Sequence, residues 1–271
     1  MKKSILIITG FSLVLGATSC KKKGCTDASA TNYNIAATKD DGSCEYPSTT
    51  APAPPPYMPN FGGTFGVLVA VKTVTTTSTP IGNMDTEVGV AVAAFSENGG
   101  STFVGAGTVH VNNGSNDYVL NVQSNHSYVY QVSAASPTGI DFGSDVSWTG
   151  SGSSGAWPAF STSTTQGFSI IGQITSGEPS TSSDYSLTAN SVTGADSVLF
   201  AVYGQNGNVI KVLPNNATTH TFSASEIASA GAGTGIIQIV GLKYDLKNEG
   251  TPSRAYYLIN ETVRSKVVTI Q

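Results

Sequence analysis

From Phe61 onward the apolar residues come in short runs, and the breaks between them are filled by Gly, Asn, Ser and Thr. Runs of that length, bounded by turn formers, predict strands rather than helices. Thr64 to Thr75 and Glu87 to Phe95 carry Val and small residues on both alternating faces, the pattern of strands covered on two sides. Asn98-Gly99-Gly100 supplies a turn and Thr102 to Val111 a returning strand. Tyr118-x-Leu120-x-Val122 and Tyr128-x-Tyr130-x-Val132 alternate cleanly, so each is expected to keep one wet face. Val146-Ser147-Trp148 closes this first half.

A Ser/Gly-rich stretch, Thr149 to Ala156, leads to Trp157-Pro158-Ala159-Phe160 and a predicted strand over Gly167 to Ile174, followed by a turn-rich break over Ser176 to Asp184. Strands are then expected over Tyr185 to Val192, Ser197 to Tyr203, Asn208 to Leu213, Ile236 to Tyr244 and Ala255 to Ile270. The turn Gln205-Asn206-Gly207 between apolar runs is a strong hairpin signal. Ser223-Ala224-Ser225-Glu226 fits a capping box that opens a brief helix to Ala230. The chain therefore reads as all-β, with one or two β-sandwich domains placed over residues 61–175 and 184–271. The second stretch resembles an immunoglobulin-like or fibronectin-type sandwich in its strand pattern. No internal repeat aligns between the halves.

The first residues follow another pattern. Lys2 and Lys3 precede an apolar run to Leu15, and the small residues Gly16, Ala17, Thr18 and Ser19 lead to Cys20. That is the layout of a secretory signal. Counted from Ser4 to Leu15 the run spans about 18 Å as a helix, against about 30 Å of bilayer hydrocarbon. It is too short to cross a membrane, and no later stretch is long and apolar enough. Small residues followed by Cys resemble the bacterial lipoprotein signal, with Ala17 where Leu is commonest. The resemblance implies removal of residues 1–19 and acylation of Cys20, which then anchors the chain to a membrane. Several acyl chains on one Cys hold firmly, whereas one chain binds marginally. Lys21, Lys22 and Lys23 suit anionic headgroups, and Lys rather than Asp behind the lipidated Cys resembles lipoproteins sent to the outer membrane. The last predicted strand reaches almost to Gln271, so no appended C-terminal sorting domain is expected and Cys20 carries the anchoring.

With Cys20 acylated, Cys25 and Cys44 are left to bond to each other in an oxidising compartment. Closing such a loop removes roughly 3 kcal/mol of unfolded-chain entropy on the loop-closure model. Gly24-Cys25-Thr26-Asp27, Ala30-x-Asn32-Tyr33-Asn34 and Asp40-Asp41-Gly42-Ser43-Cys44 together resemble a short disulfide repeat of secreted and surface proteins of Bacteroidota. The module is placed at residues 20–47. Asp27, Asn32, Asn34, Asp40 and Asp41 are candidate oxygen ligands for a calcium ion, the only cofactor suggested; the plainer alternative is that they cap tight turns. Residues 48–60 hold five of the chain's twelve prolines, which predicts an extended, semi-rigid stalk.

Composition narrows the function. Charged residues make up 11% of the chain and its net charge is −4, so it lacks the basic surface that nucleic-acid binding needs. His110, His126 and His220 stand apart from one another and from Cys or Glu at ligand spacing, which gives zinc no support. Gly150-Ser151-Gly152-Ser153-Ser154-Gly155 precedes no helix and lacks a Lys, so it is neither a nucleophile elbow nor a phosphate cradle. No pair of carboxylates stands out for glycosidic chemistry. Trp148 and Trp157 flank the Ser/Gly-rich loop and are candidate platforms for sugar rings, or else core residues. Asp196-Ser197-Val198 resembles the Bacteroidota acceptor triplet for O-glycosylation. These readings lead to a non-enzymatic outer-membrane lipoprotein, facing the periplasm or the surface, with an interaction or structural role and a protein or glycan partner at the envelope. The alternative is a carbohydrate-binding surface lipoprotein of a glycan-capture system.

Overall fold

The structure, a computed structural model, describes residues 22–45, 61–79 and 82–271. The signal segment, Cys20 and the Pro-rich stretch 48–60 lie outside the described residues. The chain divides into two compact units, a small module and a large body.

In the module, β1 (Lys22–Lys23) pairs in parallel with β2 (Ala37–Lys39). Cys25 and Cys44 are disulfide-bonded, with Cα atoms 4.8 Å apart. So short a segment buries little beyond Cys25 and Ala30, and its order comes from the crosslink and from side chains that close turns. The Oδ1 atoms of Asp27, Asn34, Asp40 and Asp41 accept the backbone N–H groups of Ser29, Ala36, Gly42 and Ser43, each two residues on. Asn32 Oδ1 accepts the N–H of Glu45, and its Nδ2 donates to the Ser43 carbonyl.

In chain order, the strands of the body are β3 (Phe65–Thr79), β4 (Gly82–Ser96), β5 (Val109–Asn112), β6 (Asp117–Val119), β7 (Asn121–Val122), β8 (Tyr128–Tyr130), β9 (Val146–Gly150), β10 (Phe160–Thr164), β11 (Ile170–Ile171), β12 (Tyr185–Thr188), β13 (Val192–Thr193), β14 (Ser197–Tyr203), β15 (Asn208–Pro214), β16 (Thr219–Phe222), β17 (Gly233–Glu249) and β18 (Arg254–Ile270). Helix α1 (Ala224–Ala230) opens on the expected capping box, Ser223 with Glu226. One eight-stranded sheet runs β15-β14-β17-β18-β3-β4-β8-β7. Its neighbours are antiparallel except at the centre, where β18 lies parallel to β3 from Ala255↔Phe65 to Ser265↔Thr75.

Two layers cover one face of this sheet, and each encloses its own core. Over one half lies the four-stranded sheet β10-β9-β5-β6. Val109, Val111, Trp148 and Phe160 of that layer meet Leu68, Ala93, Phe95, Tyr256 and Leu258 of the large sheet. Over the other half lie the pairs β12-β16 and β11-β13 with α1. Leu187, Phe222 and Ile227 there meet Phe200, Ile237, Ile239 and Ile270. On the opposite face Val67, Val69 and Val71 join Val240, Leu242, Ile259 and Val263 in a third cluster. The body is thus an all-β sandwich, and β3 is apolar on both faces, as its sequence predicts.

The sheet is shared by the two stretches expected as one or two sandwich domains. Residues 61–175 and 184–271 have separate cores, yet β18 hydrogen-bonds to β3 on one side and to β17 on the other. The alternating run around Leu120 differs from expectation too. Asp117–Val119 belongs to the small sheet and Asn121–Val122 to the large one, so the chain changes layers at Leu120, whose side chain is buried between them.

Candidate functional site

Between its two cores the covered face turns polar. Along β18 the residues on that face read Tyr256, Leu258, Asn260, Thr262, Arg264, Lys266, Val268 and Ile270, so four polar residues separate two apolar ends. The connector from β10 to β12 lies across this row. Asn260 Nδ2 donates to the Gly167 carbonyl (2.7 Å), Thr262 Oγ1 to Ser169 (2.7 Å), Arg264 Nε to Ile171 (3.1 Å) and Lys266 Nζ to Ser176 (2.9 Å). Lys243 Nζ on β17 donates to Gln166. The strand predicted over Gly167 to Ile174 shrinks to Ile170–Ile171, because side chains of the sheet, not a neighbouring strand, take those carbonyls. Gly241 permits this close approach, since a Cβ there would lie 2.3 Å from Ser169 Oγ.

Beside the connector the polar row widens into an open cleft of about 690 Å³. Its floor is β3, β4 and β18. Lys72 Nζ lies 3.1 Å from Glu87 Oε1. Arg264 forms a two-pronged pair with Asp85, at 3.2 Å (Nη1–Oδ1) and 2.9 Å (Nη2–Oδ2). Thr76 Oγ1 donates to Asp85 Oδ1 at 2.6 Å and accepts from Arg264 Nη1 at 2.6 Å. Hydrogen bonds from Arg264 and Thr76 hold the Asp85 carboxyl below its usual pKa, so it stays anionic.

The walls are apolar. Phe142 and Phe168 pack with ring centres 5.5 Å apart, Lys72 Nζ sits 5.1 Å from the centre of Phe168, and Ile170 projects at the rim, 69% exposed. Loop 138–144 is drawn to the edge of β4 by Gly89, whose N–H donates to Thr138 and whose carbonyl accepts from Ile140. A Cβ at Gly89 would meet the Ile140 carbonyl oxygen at 1.8 Å. A second hollow of about 360 Å³, lined by Glu87, Thr138, Ile140 and Asp141, adjoins the first through Glu87.

Trp148 and Trp157 are not part of this cleft. They are 1% and 0% exposed, which removes them as platforms for a ligand. Trp157 packs against Phe95 and Tyr256, donates from Nε1 to the Tyr256 hydroxyl (3.2 Å) and lies under the Arg254 guanidinium. The Ser/Gly-rich loop therefore carries a ring into the core rather than out of it. Ser197 is likewise fully buried, out of reach of a glycosyl transfer to its hydroxyl. Among the calcium candidates Asp27, Asn34, Asp40 and Asp41 each close a local turn, Asn32 ties its loop to Ser43 and Glu45, and among the described residues no group of three or more His, Cys, Asp or Glu could hold a metal. Hydrogen bonds from Ser43 lower the Asp41 pKa.

Two of the three histidines have side-chain partners. His110 Nδ1 is 2.6 Å from Asp117 Oδ2. His220 stands edge-on to Phe222 at 4.6 Å, and burial lowers its pKa. Lys72, Asp85, Glu87 and Arg264 escaped the sequence reading because they are far apart in the chain. Their one signal is period: each interrupts a Val/Thr strand, and Asp85 and Glu87, two residues apart, share a face.

No family model matches the chain, and no curated protein matches it by sequence. Among solved structures it is similar to a DUF3823 family protein from Bacteroides ovatus, at 8% identity and a TM-score of 0.27, over 76% of this chain and 99% of that one. It is also similar to a structure from a study of host cell surface retention of a 1.5-MDa bacterial ice-binding adhesin, at 12% identity and a TM-score of 0.22, over 78% and 66% of the two chains. Among the described residues no helix is long and apolar enough to cross a membrane.

Proposed function

We propose that this chain is a lipoprotein of the Bacteroidota type, anchored to the outer membrane through Cys20, whose β-sandwich body has a non-catalytic interaction role at the cell envelope. The carrying observation is the Cys25–Cys44 bond. A disulfide persists in oxidising compartments, and this one follows directly on a signal-like segment that ends in a third Cys. That arrangement supports acylation of Cys20 and use of the other two for crosslinking. Carbohydrate capture through Trp148 and Trp157 has no support, because both rings are interior.

Mass spectrometry of the protein purified from membranes tests the reading. An acylated N-terminal Cys20 is expected, and Cys20→Ser should move the protein from the membrane to the soluble fraction. An unmodified thiol at position 20 with Met1 retained overturns it.

A further inference from the structure

We propose that the cleft over Lys72, Asp85, Glu87 and Arg264 binds a neutral oligosaccharide. It lies at the seam where both covering layers stop, and its volume, about 690 Å³, falls within the usual range for small-ligand sites, about 300 to 1,000 Å³.

The charges within it are arranged asymmetrically. The cations are withdrawn, with the side chains of Arg264 and Lys72 8% and 19% exposed, while the carboxylates of Asp85 and Glu87 are 43% and 45% exposed. Glu87 thus spends one acceptor position on Lys72 and turns the rest to solvent, whereas Asp85, which takes two bonds from Arg264 and one from Thr76, keeps about one of its roughly four. Two such acceptors two residues apart on one strand face are separated by roughly 6 to 7 Å along the strand. That separation suits hydroxyl pairs on one or two sugar rings. Hydrogen bonds from hydroxyls to a carboxylate are about twice as strong as those between neutral groups. Lys72 Nζ, beside Glu87, can donate to a hydroxyl oxygen at the same position.

Charge and rigidity restrict the ligand class further. The four ionic groups sum to zero, and each cation already has a carboxylate within 3.1 Å. A phosphate or sulfate would find no free cation and would face Asp85 and Glu87 instead. A neutral polyol bears no such penalty. Asp85 is also fixed in advance: Arg264 is tied to Ile171, Thr76 and Asp85, and Thr76 to Asp85, so little ordering is lost there on binding. Val74, Phe168 and the exposed Ile170 in the lining supply the apolar surface that a sugar's C–H face needs. The adjoining hollow on the far side of Glu87 gives space for another ring, which favours an oligosaccharide over a single sugar.

The full-length protein, disulfide intact, should be titrated calorimetrically with maltose, cellobiose, xylobiose and mannobiose and applied to an array of neutral, uronate and sulfated glycans. At least one neutral glycan is expected to bind. Glu87→Gln, at an exposed position, should weaken it about tenfold, the equivalent of one lost hydrogen bond to a charged group, at unchanged melting temperature. Asp85→Asn should weaken it as well. Absence of any neutral binder, binding undiminished in Glu87→Gln, or a preference for sulfated glycans that fades with salt each overturns the proposal. Cys20→Ser protein should bind as well as wild type, so this proposal and the anchoring reading fail separately.

Discussion

Arg264 grips Asp85 across two strand boundaries, from β18 over β3 to β4, with both guanidinium nitrogens on both carboxylate oxygens. The guanidinium is nearly buried and its partner half exposed. Removing the arginine therefore takes its donor from the Ile171 carbonyl and leaves a partly desolvated carboxylate with Thr76 as its remaining donor. Arg264→Ala is expected to lower stability by about 2 to 4 kcal/mol. Asp85→Asn keeps one acceptor and should cost less, about 1 to 2 kcal/mol. Urea denaturation of the two variants measures both; equal losses would show that the guanidinium contributes only through Asp85.

Thr262 and Asn260 each hold one carbonyl of the connector. Thr262→Val preserves shape and removes only the donor, which leaves the Ser169 carbonyl unsatisfied, and a loss of about 1 to 3 kcal/mol is expected. Hydrogen exchange should quicken in residues 166–172 and not in β9 or β14. A uniform increase across the body would instead mean that the connector and both cores open together.

Glu261 faces the other side of β18, between Ile259 and Val263 and opposite Val71 and Leu242. Burial pushes its pKa up from 4.5 to about 7; the pKa of Tyr203 is raised by that residue's own burial first and by the Glu261 charge second. Below about pH 4.5 the group is protonated in both folded and unfolded chains and costs nothing. As pH rises to about 7 the unfolded chain ionises first, so stability falls until the folded group ionises too. Glu261→Gln should flatten that slope and add up to about 3 kcal/mol at pH 8. Denaturation at pH 4.5, 6 and 8 checks the sign; equal gains at all three would locate the effect in packing.

The two tryptophans are the chain's only ones, so fluorescence excited at wavelengths that tyrosine does not absorb reports on them alone. Emission should be blue-shifted and poorly quenched by iodide. Trp157→Ala should cost about 3 to 5 kcal/mol, because the ring fills space between Phe95 and Tyr256. Emission near that of free tryptophan would refute the burial of both.

The local features of the fold were legible in the sequence. The Asn206-Gly207 turn joins β14 to β15, Ser223 and Glu226 cap α1, and the Val-rich strands are covered on both faces. These depend on neighbours within a few residues, where period and turn chemistry act. The parallel pairing of β3 with β18 left no trace, since it joins strands at the two ends of the body. The cleft was illegible for the same reason: the β3–β4 hairpin brings Lys72 to Glu87, but Arg264 joins them only through that pairing. For Trp148 and Trp157 the sequence left two readings, ligand platform or core; a flanking Ser/Gly-rich loop does not decide between them, and here both rings are in the core.

That central pairing also governs when the body can be completed. As the chain emerges from the ribosome, β3 and β4 can close as a hairpin, but the other edge of β3 stays open until Ala255–Ser265 has been made. So distant a partner makes for slow folding, and an unpaired strand edge attracts other chains. A nascent polypeptide of this design therefore carries an unsatisfied strand edge until its final strand arrives.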